Sequence, residues 1–211
     1  MRVFTWLSAE EQANTWTHLV AVVATLLIAW PLMALACRHD WTYVLGTAFF
    51  LVGMLLMYLS STLYHIVTDK VHKRRLRVFD HSSIYVMIAG SYSPLCTAVL
   101  GGWIGWTLFG FLWICVLAGV IGKLVALGRH PRLSLALYLL MGWVAVVVLV
   151  PLWEAMPRAS FWWVLTEGLF YTIGAYFFRL DDKHAFYHAI WHVFIMLGSL
   201  SHIIALYIIL R

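Results

Sequence analysis

The sequence predicts an all-α integral membrane protein, a bundle of seven transmembrane helices forming one domain over residues 1–211, and three observations lead there. Of 211 residues, 64% are hydrophobic and only 11% charged, less than half the charged share of an average soluble domain; the mean hydropathy is +0.89. The apolar residues fall into seven continuous runs of membrane length, at 16–36, 41–64, 82–100, 103–127, 133–153, 161–178 and 187–210. Strands of an outer-membrane barrel would alternate apolar and polar residues instead, and in lipid a continuous run satisfies its backbone only as a helix. Third, the cations are sorted between the connections. Arg2, Lys70, Lys73, Arg74, Arg75, Arg77, Lys123, Arg129, Arg132, Arg179 and Lys183 fall on one side, and Arg38, Arg158 and Arg211 on the other. That asymmetry places the N-terminus in the cytoplasm and the C-terminus outside. It also accounts for the net charge of +5 without a nucleic-acid partner. The N-terminal stretch has acidic residues and no short apolar core before a small-residue site, so no cleavable signal peptide is expected.

The first run is preceded by SAEEQANTWTH, residues 8–18. Ser8 and the glutamates suit a helix cap, while Glu11, Asn14 and His18 share one helical stripe. Capping with a snorkelling histidine, or a polar site, both fit that pattern. The second run ends in MYLSSTLYH, where Ser61 and His65 are one turn apart on one face. After the basic connection, the third run opens with FDHSSIYVMIAGSYSP, putting Asp80 and His81 at its first turn, where an acid complements the helix dipole. Pro94 is expected to kink it.

The fourth, fifth and sixth runs carry few polar residues; Glu167, inside the sixth, either pairs with a polar neighbour or lines a cavity. The seventh is YHAIWHVFIMLGSLSHIIALY, residues 187–207, with His188 and His192 one turn apart. His202 lies ten residues further, on the order of 15 Å along the axis, and reads as a packed or second-site histidine. His39, His72, His130 and His184 fall in connections and read as surface residues. Cys37, Cys96 and Cys115 lack metal-binding spacing and read as packed thiols, although Cys37 and Cys96 share one predicted face and are free to pair if it is oxidising.

The predicted topology puts His65, Asp80, His188 and His192 at the same cytoplasmic face. Three imidazoles match the composition of a catalytic zinc site with one open position; imidazole also suits iron, copper or nickel. HAIWH lacks the glutamate of HExxH, so a base must come from elsewhere, and Asp80 is the available carboxylate. Ser61 is placed to donate a hydrogen bond to an oxyanion. Access from the bilayer favours a membrane lipid amide or ester as the substrate.

These motifs, with YLLMGW at 138–143, resemble the hemolysin III family of bacterial inner-membrane proteins, within the progestin and adipoQ receptor family. The resemblance implies a multi-pass inner-membrane protein with a cytoplasmic Zn2+ site on His65, His188 and His192, the family's acidic residue at Asp80 and its helix-two serine at Ser61. The wider superfamily resembles alkaline ceramidases, which implies hydrolysis of lipid amides. A non-enzymatic regulator or receptor, with zinc holding helices together, is the alternative. A pore-forming role rests on the family name alone.

Overall fold

The computed structural model describes residues 4–126 and 131–211; His130, read above as a surface residue, lies outside them. The described residues are helical with no strand among them. In chain order they form α1 (Ala9–Ala36), α2 (Trp41–Ile66), α3 (Lys70–Pro94), a π-helical turn (Leu95–Leu100), α4 (Gly102–Ala126), α5 (Pro131–Gly142), a 3-10 turn (Val144–Val148), α6 (Leu149–Ala155), α7 (Arg158–Arg179) and α8 (Tyr187–Ile209). Six helical stretches are long and apolar enough to cross a membrane by length and composition: Ala9–Ala36, Trp41–Ile66, Lys70–Leu100, Gly102–Val125, Leu133–Ala155 and Tyr187–Ile209. Helix α7, which holds Glu167 in its middle, is not among those six. Much of the outer surface is apolar, with Leu27, Trp30, Leu117 and Val147 all exposed, as a hydrocarbon solvent favours.

Local chemistry sets the helix ends. Ser8 caps α1, its Oγ accepting from the Glu11 amide at 3.2 Å. Asp40 caps α2 by accepting from the Thr42 amide at 2.8 Å. Asp69 caps α3, accepting from the backbone and the ring of His72, which holds its carboxyl below the ordinary value.

That cap corrects the expected start of α3. The basic connection is itself helical from Lys70, because Lys and Arg are strong helix formers even where hydropathy is low. Asp80 therefore stands ten residues into the helix, far from its N-terminal dipole. It is buried at 9% exposure.

Pro94 ends α3, and the chain continues through the π-helical turn rather than a simple kink. The fifth run, expected as one helix over 133–153, is broken after Gly142. The Tyr92 hydroxyl bridges the break, donating to Gly142 O at 2.5 Å and accepting from Ala145 N at 3.0 Å. One tyrosine thus satisfies the backbone groups that the break exposes. The three cysteines are free: Cys96 is buried, whereas Cys37 is exposed, so the two do not pair.

Helices α2 and α3 pack closely because glycines face each other across them. A Cβ on Gly90 would stand 2.9 Å from Phe49 O, and one on Gly53 would stand 3.1 Å from Val86 O. One apolar cluster joins Phe50, Met54 and Tyr58 of α2 to Trp191, Ile195 and Leu206 of α8. A second joins Tyr85 and Tyr92 of α3 to Leu112 of α4, Tyr138 of α5 and Leu152 of α6. Beside them the end of α2 meets the start of α8, where His65 comes against His188 and His192.

Candidate metal centre

The last turn of α2 and the first two turns of α8 bring His65, His188 and His192 together, with one nitrogen of each within 4.8 Å of the others. The ring centroids of His65 lie 5.1 Å from His188 and 5.2 Å from His192, and His188 lies 4.7 Å from His192. Helix α8 begins immediately after Phe186, whose backbone is left-handed at φ 63°. A bulky residue there is strained. The Phe186 amide donates to Glu10 Oε1 at 2.6 Å, fixing the start of α8 against α1.

Each imidazole is anchored through Nδ1. His65 Nδ1 lies 2.6 Å from Glu11 Oε2, His188 Nδ1 2.7 Å from Asp181 Oδ2, and His192 Nδ1 3.0 Å from Thr17 Oγ1. A carboxylate accepts only, so Nδ1 of His65 and of His188 carries the proton. The Thr17 hydroxyl has its own proton engaged with the carbonyls of Ala13 and Asn14, so it accepts from His192. Nε2 is therefore left as the lone-pair nitrogen on each ring. Polar partners that fix the tautomer and orientation of ligating histidines are a general feature of metal sites. His65 Nε2 is fully buried without a hydrogen-bond partner among the described residues. An orphaned acceptor there costs stability unless something binds it, and the three-histidine set fits a divalent ion.

Two residues of the stripe expected on α1 meet this site, Glu11 at His65 and His18 at His192. Glu11 combines both readings, its amide capped by Ser8 and its carboxylate held by His65 and by Lys73 Nζ at 2.5 Å. Asn14 and His18 are buried. His18 stacks on His192 with centroids 3.6 Å apart and planes inclined by 17°. Neither of its nitrogens has a hydrogen-bond partner among the described residues, nor has Asn14 Oδ1.

A cavity of about 90 Å³ opens beside the imidazoles. Ser61, Asp80, His81 and His18 line it together with His188 and His192, and most of its other walls are apolar, among them Met57, Met87, Leu139 and Trp191, with the hydroxyl-bearing Tyr138, Tyr171 and Thr172 between them. Ser61 Oγ is buried beside the Asp80 carboxyl. His65, His188, His192, Ser61 and Asp80 thus lie together with Glu11, His18 and His81, whereas His202 lies apart. His202 is paired instead with Glu167, Nδ1 to Oε2 at 2.7 Å, both side chains buried. The question left open for Glu167 is answered by a polar partner. His39, His72 and His184 are exposed, as read from the sequence.

Three residues of the site were not singled out from the sequence. Thr17 and Lys73 meet their partners only across helices. Asp181, seven residues before His188 in a connection, had proximity to the HAIWH stretch as its one visible signal.

A family model described as "Haemolysin-III related" matches residues 6–203. The chain is 38% identical over 192 residues to the "Hemolysin-3 homolog" of Bacillus subtilis (strain 168), covering 90% of this chain and 89% of that one. It is 36% identical over 191 residues to "Hemolysin-3" of Bacillus cereus, covering 90% and 87%. Similarity extends to the human "Monocyte to macrophage differentiation factor", 26% identical over 205 residues, covering 94% and 83%. No solved structure matches the chain.

Proposed function

The chain belongs to the haemolysin-III-related family of multi-pass membrane proteins, and from that premise and the site's geometry we propose that it is a zinc-dependent hydrolase of a membrane lipid amide or ester. In this reading it forms a single domain of seven transmembrane helices in a bacterial inner membrane. Helix α7 is the sixth span, with the N-terminus and the histidine cluster at the cytoplasmic side, following the eleven-to-three sorting of Lys and Arg.

The observation that carries the proposal is the pattern of nitrogens. Three buried or half-buried imidazoles are each held at Nδ1, which leaves Nε2 free on every ring, and offer one nitrogen each within 4.8 Å of the others, beside a cavity lined by an acid and a hydroxyl. Three protein ligands leave a position open, which distinguishes a catalytic site from a closed structural one. Zinc bound there supplies Lewis-acid polarisation of a carbonyl and acidifies water near it. Asp80 then accepts the proton of the attacking water and passes it to the leaving amine or alcohol. Ser61 donates to the developing oxyanion. Glu11, Asp181 and Thr17 keep the rings aligned, and the apolar walls accept a hydrocarbon chain while excluding bulk water.

The alternative, a non-enzymatic membrane regulator, has one observation in its favour. The cluster and its anchors draw on α1, α2 and α8, together with the Asp181 connection, so an ion there ties several elements together. Elemental analysis of the purified protein, with turnover of lipid amides and esters, separates the two. Stoichiometric zinc lost in His188→Ala but kept in Asp80→Ala, with hydrolysis lost in both, is the expected result. Zinc without hydrolysis of any lipid class, and no effect of Asp80→Ala beyond stability, would leave the regulator. A wild-type protein without metal would sink both.

A further inference from the structure

Lys123 is a buried ammonium with no acid in contact. It lies on α4 at 6% exposure. Its Nζ donates to Ser134 Oγ at 2.7 Å, stands 3.5 Å from His81 Nδ1, and lies 5.6 Å from the centre of the Tyr138 ring. All nine acidic side chains belong to the described residues. Those that form ion pairs are Glu11, Asp69, Asp181 and Glu167, with His65, Lys73, His72, His188 and His202 as partners; none pairs with Lys123. At longer range Asp80 attracts its charge and Arg77 repels it.

A buried charge without a hydrogen-bonded counter-charge is costly, and structures that keep one generally supply its partner. Here the surroundings indicate where that partner arrives. Of the three residues next to the ammonium, Ser134, His81 and Tyr138, the last two separate Lys123 from the cavity and are walls of it, together with Asp80, Ser61, His188 and His192. The lining of the cavity is otherwise largely apolar, including Ile84, Leu135 and Leu139. An anion reaching this end of the cavity has to be attached to something the apolar walls accept.

We propose that Lys123 and His81 form an anion subsite, and that the lipid taken by this cavity carries a carboxylate or phosphate on its polar head. The inference rests on the hydrolase reading for the fate of that lipid, though not for its binding. The scissile amide or ester lies toward the imidazoles, and the anion lies toward the flexible ammonium of Lys123. N-acyl amino acids are one class with this arrangement. Ceramide-like lipids with a neutral head lack the anion.

The test compares two amides that differ in a single group. N-oleoylglycine ends in a carboxylate, and N-oleoylethanolamine ends in a neutral hydroxymethyl group. Their affinities for the detergent-purified full chain are measured by displacement of a fluorescent fatty amide. The wild type is expected to prefer N-oleoylglycine by about tenfold or more, the difference a charge-assisted hydrogen bond supplies. Lys123→Met should abolish the preference and Lys123→Arg should keep it, with Lys123→Arg also guarding against a variant that fails to fold. Equal affinities in the wild type, a preference that survives Lys123→Met, or binding of neither amide would overturn the proposal. Inorganic phosphate displacing the probe as effectively as N-oleoylglycine would make this a free-anion site and overturn the lipid assignment. Hydrolysis of the same pair keeps the two ideas apart. A lysine-dependent preference in binding without turnover leaves the subsite standing and sinks the hydrolase, whereas hydrolysis of both amides with equal kcat/KM does the reverse.

Discussion

Glu11 Oε2 lies 2.6 Å from His65 Nδ1, so a carboxylate on the first helix sets the orientation of an imidazole on the second. The other oxygen of Glu11 is held by Lys73 at 2.5 Å, which extends the arrangement to the third helix. Removal of such a partner typically costs a metal site about 10–100-fold in affinity. Glu11→Ala should therefore bind zinc about 10–100-fold more weakly while keeping the wild-type helix content. Competition with a chelator of known affinity reads this directly, and an unchanged affinity would separate Glu11 from the metal.

Because His65 lies on α2 and His188 and His192 on α8, an ion at their nitrogens joins two helices distant in sequence. A ligand present at about 100 times its Kd stabilises the folded state by about 2.7 kcal/mol. Dialysis against a chelator should lower the melting temperature of the wild-type protein and restoring zinc should recover it. His192→Ala should show neither change. A melting temperature indifferent to chelator in the wild type would argue that nothing resides there.

Glu167 and His202 form a buried pair away from the cluster, at 2.7 Å, with His202 also against the Phe50 ring at 4.4 Å between centroids. Removing one member of a buried pair strands the other and costs about 3–5 kcal/mol, whereas replacing both by apolar groups is often near neutral. Glu167→Leu alone should lower the melting temperature strongly, and the double variant Glu167→Leu/His202→Leu should recover most of the loss. Zinc content should stay the same in both. A double variant as unstable as the single one would show that the pair does more than join α7 to α8.

Gly90 sits where α3 crosses α2, with no room for a Cβ beside Phe49 O. The obstacle is backbone, which cannot rotate away as a side chain can. Gly90→Ala should cost about 1–3 kcal/mol through overpacking and push apart the helices that carry Ser61 and Asp80. The readouts are a lower melting temperature and reduced turnover with zinc retained.

The sequence made much of this site legible because its residues come in pairs at helical spacing. Ser61 and His65, and His188 and His192, are each one turn apart, and helical geometry alone puts each pair on one face. Glu11, Asn14 and His18 form a stripe for the same reason, and the structure brings two of them, Glu11 and His18, to the cluster. Asp80 is legible as the one carboxylate that topology brings to the face of the histidines, but hydropathy sets it at a helix start, whereas Lys and Arg continue the helix back to Lys70. Lys73 and Lys123 read only as topogenic cations and Thr17 carries no signal of its own, because what distinguishes all three is a partner on another helix. Periodicity along one chain carries no information about such partners.

By itself, then, the sequence determined the solvent, the helical class and the histidine pairs that meet at the cluster, through runs too apolar for water and polar residues too regularly spaced to be incidental. The tertiary structure alone decided how those residues are used. It gave Glu11 to His65, Asp181 to His188 and Thr17 to His192, fixing which nitrogen of each ring is free. It paired Glu167 with His202, broke the fifth run at Gly142 under the Tyr92 hydroxyl, and left Lys123 buried without an acid in contact. The physical reason is the range of the forces involved. Backbone hydrogen bonds and hydropathy act within one or two helical turns, whereas a hydrogen bond between side chains on α1 and α8 exists only after the bundle has packed.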